Sequence, residues 1–466
     1  MIVSKKALLL TSVLIYQVMN AESWQVSGQN AWQKINAKSQ NVQIQDGLVS
    51  SDSNSAVFRS ALKRVTKKSK ATTLVLKQSD SWNNWQKVPR VGPKERNNAP
   101  VFLPIKDGDY WLFSINSKLD KKKNGYHAWH SSDMKSWTHY GAISDYRSRW
   151  VTTAEHIDGK TYIYYDNPND QDPHLIIDSN LKDGKMGKDM GMVFKDPSDG
   201  SDCSIIRDTD GKFHLIYEDW SPINASKHAW DSPLAGYAVS PDGIKNWQIK
   251  GYAVDERTKP TGKKGKYKHG FTKANKGKLT FQEHSPIQNA YGDWTSIKIG
   301  QQYYLFGDFD AAEHSVSAGN SKGKAQAAMS VARFTSDSLS KKFEYCGNFG
   351  AGHPDPTVGF AEGQFYLLTQ TSNDFISSGP WVSGVKARVG VDVNGDGKVD
   401  KYTAWTTLSE DYRLKKGYSR VVERSPAKLD LSSLPAGLAF CFEIKLNKNA
   451  ESKVMPQIKS ARIDFK

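Results

Sequence analysis

The sequence predicts an all-β chain: a five-bladed β-propeller with an accessory β-sandwich-like region built from its N- and C-terminal segments. Three observations predict it. A strand, glycine turn and aromatic strand recur five times between residues 96 and 385. Ser-x-Asp turns ending in Trp recur between those copies. Short alternating apolar segments occupy both ends of the chain, residues 22–95 and 386–466, and neither end alone carries enough strands for a stable pair of sheets.

The five copies run Ala99–Phe113, Val151–Tyr165, Asp202–Tyr217, Asp293–Phe306 and Asp355–Leu368, with turns at Gly108, Gly159, Gly211, Gly300 and Gly363. Each reads as a hairpin. Repeats of this size bury their faces only against one another, which favours blades around a common axis. The innermost strands then all start at one mouth of a central funnel. Between the copies, Ser131–Trp137 and Ser240–Trp247 have the spacing of outer-strand turns, and Trp82 and Trp85 precede the first copy in a similar way. Repeated at matching places, such tryptophans are blade-packing residues more often than sugar platforms.

At the chain start, Lys5 and Lys6 precede an apolar run from Ala7, and small or polar residues follow to Ala21. This is a secretory signal pattern, so a secreted or periplasmic protein is expected. No segment is long enough for a membrane span. Three cysteines, Cys203, Cys346 and Cys441, exclude a disulfide framework and carry no metal-ligand spacing. The formal charge is +15, much of it in the lysine-rich stretch from Glu256 to Leu279. A solvated loop there competes with a loop that leans over the funnel and attracts an anionic ligand. In an exported chain without a nucleic-acid-binding motif, nucleic acid is excluded and an anionic polysaccharide or oligosaccharide is the expected partner.

The candidate chemistry is carboxylate chemistry. Asp202, Asp293 and Asp355 open the third, fourth and fifth copies, so their side chains are expected at the funnel mouth. Glu283 and His284 lie upstream of Asp293, in a segment read as a loop reaching the same end. Glycosidic bond cleavage uses a protonated and an ionised carboxyl group, with a third able to tune the acid. Asp202, Asp293, Glu283 and His284 are therefore the catalytic candidates. Asp166, Asp172 and His174, crowded after the second copy, are expected to bind substrate, together with Asp355 and Trp294. Glu218 and Asp219 are placed at the rim opposite Asp202 and set aside.

Two metal positions are expected. Asp392, Asn394, Asp396 and Asp400 alternate around a glycine turn as in calcium loops, although Thr403 stands where an EF-hand has its glutamate. His353 opens the fifth copy, where an imidazole can hold a metal or water on the axis.

With these residues in view, residues 96 to 385 resemble the five-bladed propeller glycoside hydrolases, the group of family 43 arabinanases and xylosidases and family 117 anhydrogalactosidases. The resemblance rests on the hairpin repeat, the Ser-x-Asp-x-x-x-Trp turns, Asp202 before a strand ending in an Asp-Gly turn, and the Gly350 to His353 segment. It implies a hydrolase, inverting, with His353 at a central metal site and Asp202 tuning the general acid. Asp293 stands where the family places its acid glutamate, and Glu283 is the alternative. The family's general base opens the first inner strand, but here Ala99 occupies that place. Asp355 or a carboxylate of the 166–172 segment is the expected substitute. A non-catalytic glycan-binding propeller and a polysaccharide lyase are the competing readings.

Overall fold

A computed structural model of the chain describes residues 22–466 except 80–85, 88–92, 94–97, 116–118, 120–124, 146–148, 168–171, 199–201, 221–230, 267–279, 285–287, 313–329, 350–354, 371–375, 378–383 and 451–453. The described chain is nearly all β-strand, with one helix, Gln29–Ile35. It divides into two compact units.

The first unit comprises residues 22–79, 383–409 and 426–466. It holds two six-stranded sheets, each drawing strands from both ends of the chain. In one, Ile458–Phe465 pairs with Ser23–Ser27 on one side and Ala71–Gln78 on the other. In the second, Gly437–Asn447 lies between Val385–Asp392 and Ser55–Arg59. Alternation along these strands sends Leu74, Leu76, Val389, Val391, Phe442, Ile444 and Ile463 into one shared core, where Trp32 of the helix is fully buried. Neither terminal segment has a buried face without the other.

The second unit comprises residues 80–382 and 410–425. The expected boundaries gave all of 386–466 to the C-terminal segment. The chain instead leaves the first unit at Glu410, forms a hairpin with the second, and returns after Ser425. Apolar alternation at Leu414, Val421 and Val422 is the same in either destination, so only long-range pairing decides between them.

Among the described residues this unit holds a two-stranded pair, Pro260–Lys266 with Thr280–His284, and five larger sheets, four of them four-stranded and the fourth in chain order six-stranded. Their first strands are Asn98–Lys106, Trp150–Ile157, Ser204–Arg207, Ala290–Ile299 and Thr357–Ala361. These strands pack against one another in cyclic order, first to second through fifth and back to first. Side-chain hydroxyls stitch the neighbours: Thr153 accepts from the Ile205 amide, Ser204 bonds Ser296, Thr295 accepts from the Val358 amide, and Thr357 accepts from the Phe102 amide. The fifth sheet takes its outer strand, Gln86–Lys87, from ahead of the first. A strand from before the first sheet therefore completes the last. The fourth sheet is widened by Val421–Ser425, which adds in parallel to its first strand, and by Asp411–Leu414.

The Ser-x-Asp turns form as the spacing predicts. Asp133 accepts from the amides of Lys135 and Ser136, and Asp242 from those of Ile244 and Lys245. Among the described residues no helix is long and apolar enough to cross a membrane.

Candidate active site

Asp202, Asp293 and Asp355 come together where the first strands of sheets three, four and five begin. Each adopts a left-handed backbone, with φ of 46°, 49° and 38°, and Ala99 of sheet one matches them at 44°. This conformation strains a residue with a side chain and is tolerated best by Asp and Asn. One arrangement recurs to hold it. The amide of Asp202 donates to Asp166 Oδ2 (3.3 Å), that of Asp293 to Glu218 Oε1 (2.9 Å), and that of Asp355 to Asp308 Oδ1 (2.9 Å). In every case the acceptor lies at or near the end of the second strand of the preceding sheet: Asp166 and Glu218 are the last residues of theirs, and Asp308 is two short of the end of Gln302–Asp310. The three bracing carboxylates are at most 1 % exposed, whereas the three braced aspartates are half-buried. Two adjacent backbones are also joined directly, Trp294 N to Asp202 O at 3.1 Å.

Further acids crowd the same place. Asp231 and Asp310 are buried. Gly292, beside Asp293, has no room for a side chain: a Cβ there would lie 2.2 Å from Glu218 Oε1 and 2.6 Å from Asp231 Oδ1. One oxygen each from Asp293, Asp308 and Asp355 lies within 4.8 Å of the others, close enough to hold a cation between them. Among the described residues, Tyr126 Oη and Asp231 Oδ2 are buried there without a hydrogen-bond partner.

So many carboxylates cannot all ionise at neutral pH. Burial, followed by the charges of Asp202, Asp293 and Asp231, pushes Glu218 well above the usual carboxylate range. Burial also raises Asp231, helped by Asp310 and Asp293, and Asp308, helped by Asp293 and Asp355. The Tyr126 hydroxyl is held neutral by burial first and then by Asp355, Asp202, Asp166 and Asp293. The site can therefore present neutral and ionised carboxyl groups side by side.

Several expectations are corrected. Glu218, set aside as lying at the far rim, is at the centre of the site, because the end of a hairpin's second strand lies beside the start of its first. Trp294 is no substrate platform: it is 2 % exposed and packs on Phe334 and Tyr291. Asp166 is a buried brace rather than a substrate contact. Asp172 is consumed by Lys195 Nζ (2.7 Å) and the Asp196 amide (2.6 Å), and His174 is turned back onto the Asp172 carbonyl at 2.8 Å. Glu283 and His284 belong to a strand, Thr280–His284, paired with Pro260–Lys266, rather than to a loop. Their side chains, like all of His353, lie outside the described residues.

In the first unit, Asp392 accepts from the amides of Gly395 and Gly397, Asn394 from Asp396, Asp396 from Lys398 and Asp400 from Val393. The turn organises itself through these bonds.

Sequence reasoning missed Glu218, Asp231, Asp308 and Asp310. A signal for two of them was present. The second strands of copies two, three and four end in an apolar run and then an acid, at Asp166, Glu218 and Asp308, a repeat as regular as the glycine turns.

No family profile matches the sequence, and no curated protein does. Solved structures to which the chain is similar include family-43 glycoside hydrolases. A thermostable family-43 glycoside hydrolase is 12% identical, with a TM-score of 0.40 over 75% of this chain and 98% of that one. The Bacillus subtilis arabinanase Arb43A is 13% identical, with a TM-score of 0.39 over 62% and 95%. A GH43_1 enzyme from Xanthomonas citri, complexed with xylose, is 12% identical, with a TM-score of 0.40 over 68% and 92%.

Proposed function

We propose that the second unit is a five-bladed propeller, with the first unit as an accessory sandwich, and that the carboxylate cluster is the active site of a glycoside hydrolase. The observation that carries this reading is the set of three half-buried aspartates, each held in a strained backbone by a buried acid at one end of the ring. Strain that is specifically supported points to function. Hydrolysis needs one carboxyl group to protonate the leaving oxygen and another to activate water. For an inverting reaction the two stand about 6.5–9.5 Å apart. Asp293 and Asp355 approach more closely than that, within 4.8 Å. In this reading the pair is Asp202 with one of them, and the remaining aspartate tunes the acid. Product analysis on a panel of sulfated and uronic oligosaccharides tests the reading. New reducing ends without an unsaturated product support it, and an absorbing unsaturated product identifies a lyase instead. Ala99, where a base is expected, favours the second reading, a glycan-binding propeller, which would bind and release nothing.

The substrate class we propose is an anionic, sulfated or uronic, polysaccharide of marine galactan type, or its oligosaccharides. Net charge and the lysine-rich stretch support it. The acidic centre repels an anionic substituent from the cleaved bond, so such groups would sit outward from it. Replacing Lys263, Lys264 and Lys266 together by Ser is expected to weaken binding of a sulfated oligosaccharide several-fold at low salt and to flatten its salt dependence. Unchanged affinity would assign these lysines to solubility.

In the same reading the N-terminal run directs export, and Asp392, Asn394, Asp396 and Asp400 supply oxygen ligands for a structural Ca²⁺. EDTA is then expected to lower the Tm of the purified protein by several degrees and added CaCl₂ to restore it. An unmoved Tm would leave the turn to its own hydrogen bonds.

A further inference from the structure

The hairpin 410–425, which the chain sends into the second unit between two excursions in the first, places one cation inside the ring. Arg420 is 2 % exposed. Its Nη1 donates to Thr295 Oγ1 at 3.3 Å, to the Ser296 carbonyl at 3.4 Å and to the Val358 carbonyl at 3.5 Å. Thr295 follows Asp293 by two residues, and Val358 follows Asp355 by three. Thr295 Oγ1 also accepts from the Val358 amide at 3.3 Å. The guanidinium thus ties together the two strands whose starts bring Asp293 and Asp355 within 4.8 Å of one another.

The hairpin is anchored so that Arg420 cannot withdraw. Its carbonyl accepts from the Lys298 amide at 2.8 Å. The neighbouring Ser419 amide donates to Glu155 Oε1 at 2.8 Å, and Ser419 Oγ accepts from the His156 amide at 3.3 Å, both on the second sheet. Arg424 holds the hairpin's own base through a two-bond pair with Glu410. Glu155 is fully buried and is the acid that offsets the Arg420 charge. All three side-chain bonds leave one nitrogen, Nη1, which stands one bond farther from Cα than a lysine Nζ, so a lysine ammonium in its place stops short of these acceptors.

We propose that Arg420 is a positioning residue for the carboxylate cluster, linking the strand of Asp293 to that of Asp355 and so setting the separation of the two side chains. The proposal rests on the cluster being the working site, as argued above. The groups facing this pair are Asp308, Asp231, Asp202, Glu218 and Tyr126.

Two variants test the idea. Arg420→Lys keeps the charge opposite Glu155 but ends one bond short of the position of Nη1. Glu155→Gln with Arg420→Met removes both charges, so that no uncompensated carboxylate is left buried. Crystal structures of both are expected to show the closest Asp293 and Asp355 oxygens moved apart, beyond the 4.8 Å of the parent. On the glycan found by product analysis, kcat is expected to fall about tenfold or more while KM changes less than about twofold. Unaltered carboxylate separation and kcat in both folded variants would overturn the proposal. Should the aspartates themselves prove dispensable for hydrolysis, the crystallographic separation still decides the role of Arg420, independently of the functional reading.

Discussion

Asp202→Asn, Asp293→Asn and Asp355→Asn are each expected to reduce turnover on the cleaved glycan, the acid and the base by about two to four orders of magnitude. Asparagine replaces one carboxyl oxygen by an NH₂ group of the same size, and each position keeps its backbone brace, since the amide and not the carboxylate makes that bond. Thermal unfolding should therefore change little, or rise slightly as a like charge is lost. The substitution that tunes rather than transfers a proton is expected to show the smallest loss, together with a displaced pH optimum. Glu283→Gln, measured in parallel, addresses the alternative acid that the resemblance implies. Near-parent turnover in all three aspartate variants would remove the cluster from the chemistry.

Asp231→Asn is expected to stabilise the protein, and more so as pH rises. Burial and the charges of Asp310, Asp293, Asp202 and Asp355 raise the folded pKa of Asp231 above its unfolded value. Between those two values the folded state binds more protons than the unfolded chain. Stability then falls as pH rises through the window, and the favourable contribution is complete only below the unfolded value, about 4. Glu218 and Asp308 act in the same direction. Carboxylates held low, such as Asp208 beside Lys298 and Tyr303 and Asp255 beside Arg257 and Lys342, lose their contribution only in acid. The Tm of the parent should accordingly decline from mildly acidic toward alkaline pH. An asparagine at 231 cannot ionise and brings donors to surrounding oxygens. A gain on the order of 1–2 kcal/mol near pH 8 is expected, roughly 2–4 °C, with a shallower slope. A variant less stable than the parent at pH 8, or a slope unchanged, would show that the Asp231 charge is accommodated.

Strand content, the five hairpins and the aspartates that open three of them were legible because each is a local pattern. Alternation with a glycine turn specifies a hairpin wherever it occurs. Asp202, Asp293 and Asp355 stand out because they interrupt apolar strands at matching offsets. The placing of Glu218 failed for a geometric reason: chain distance was read as spatial distance, although an antiparallel turn returns the chain to its starting end. Asp231 and Asp310 carry no such periodic mark, and the burial of Trp294 depends on packing against Phe334, a residue distant in the chain.

By itself the sequence determined which residues alternate, where turns fall and which strands begin with an acid, since these follow from neighbours in the chain. Tertiary structure alone decided that acids from the second strands brace the first strands of the next sheet, that residues 410–425 leave one unit to enter the other, and that Arg420 meets Thr295 and Val358. Those contacts join residues tens to hundreds of positions apart. Their energies come from burial and from hydrogen bonds across sheets, which no local pattern encodes.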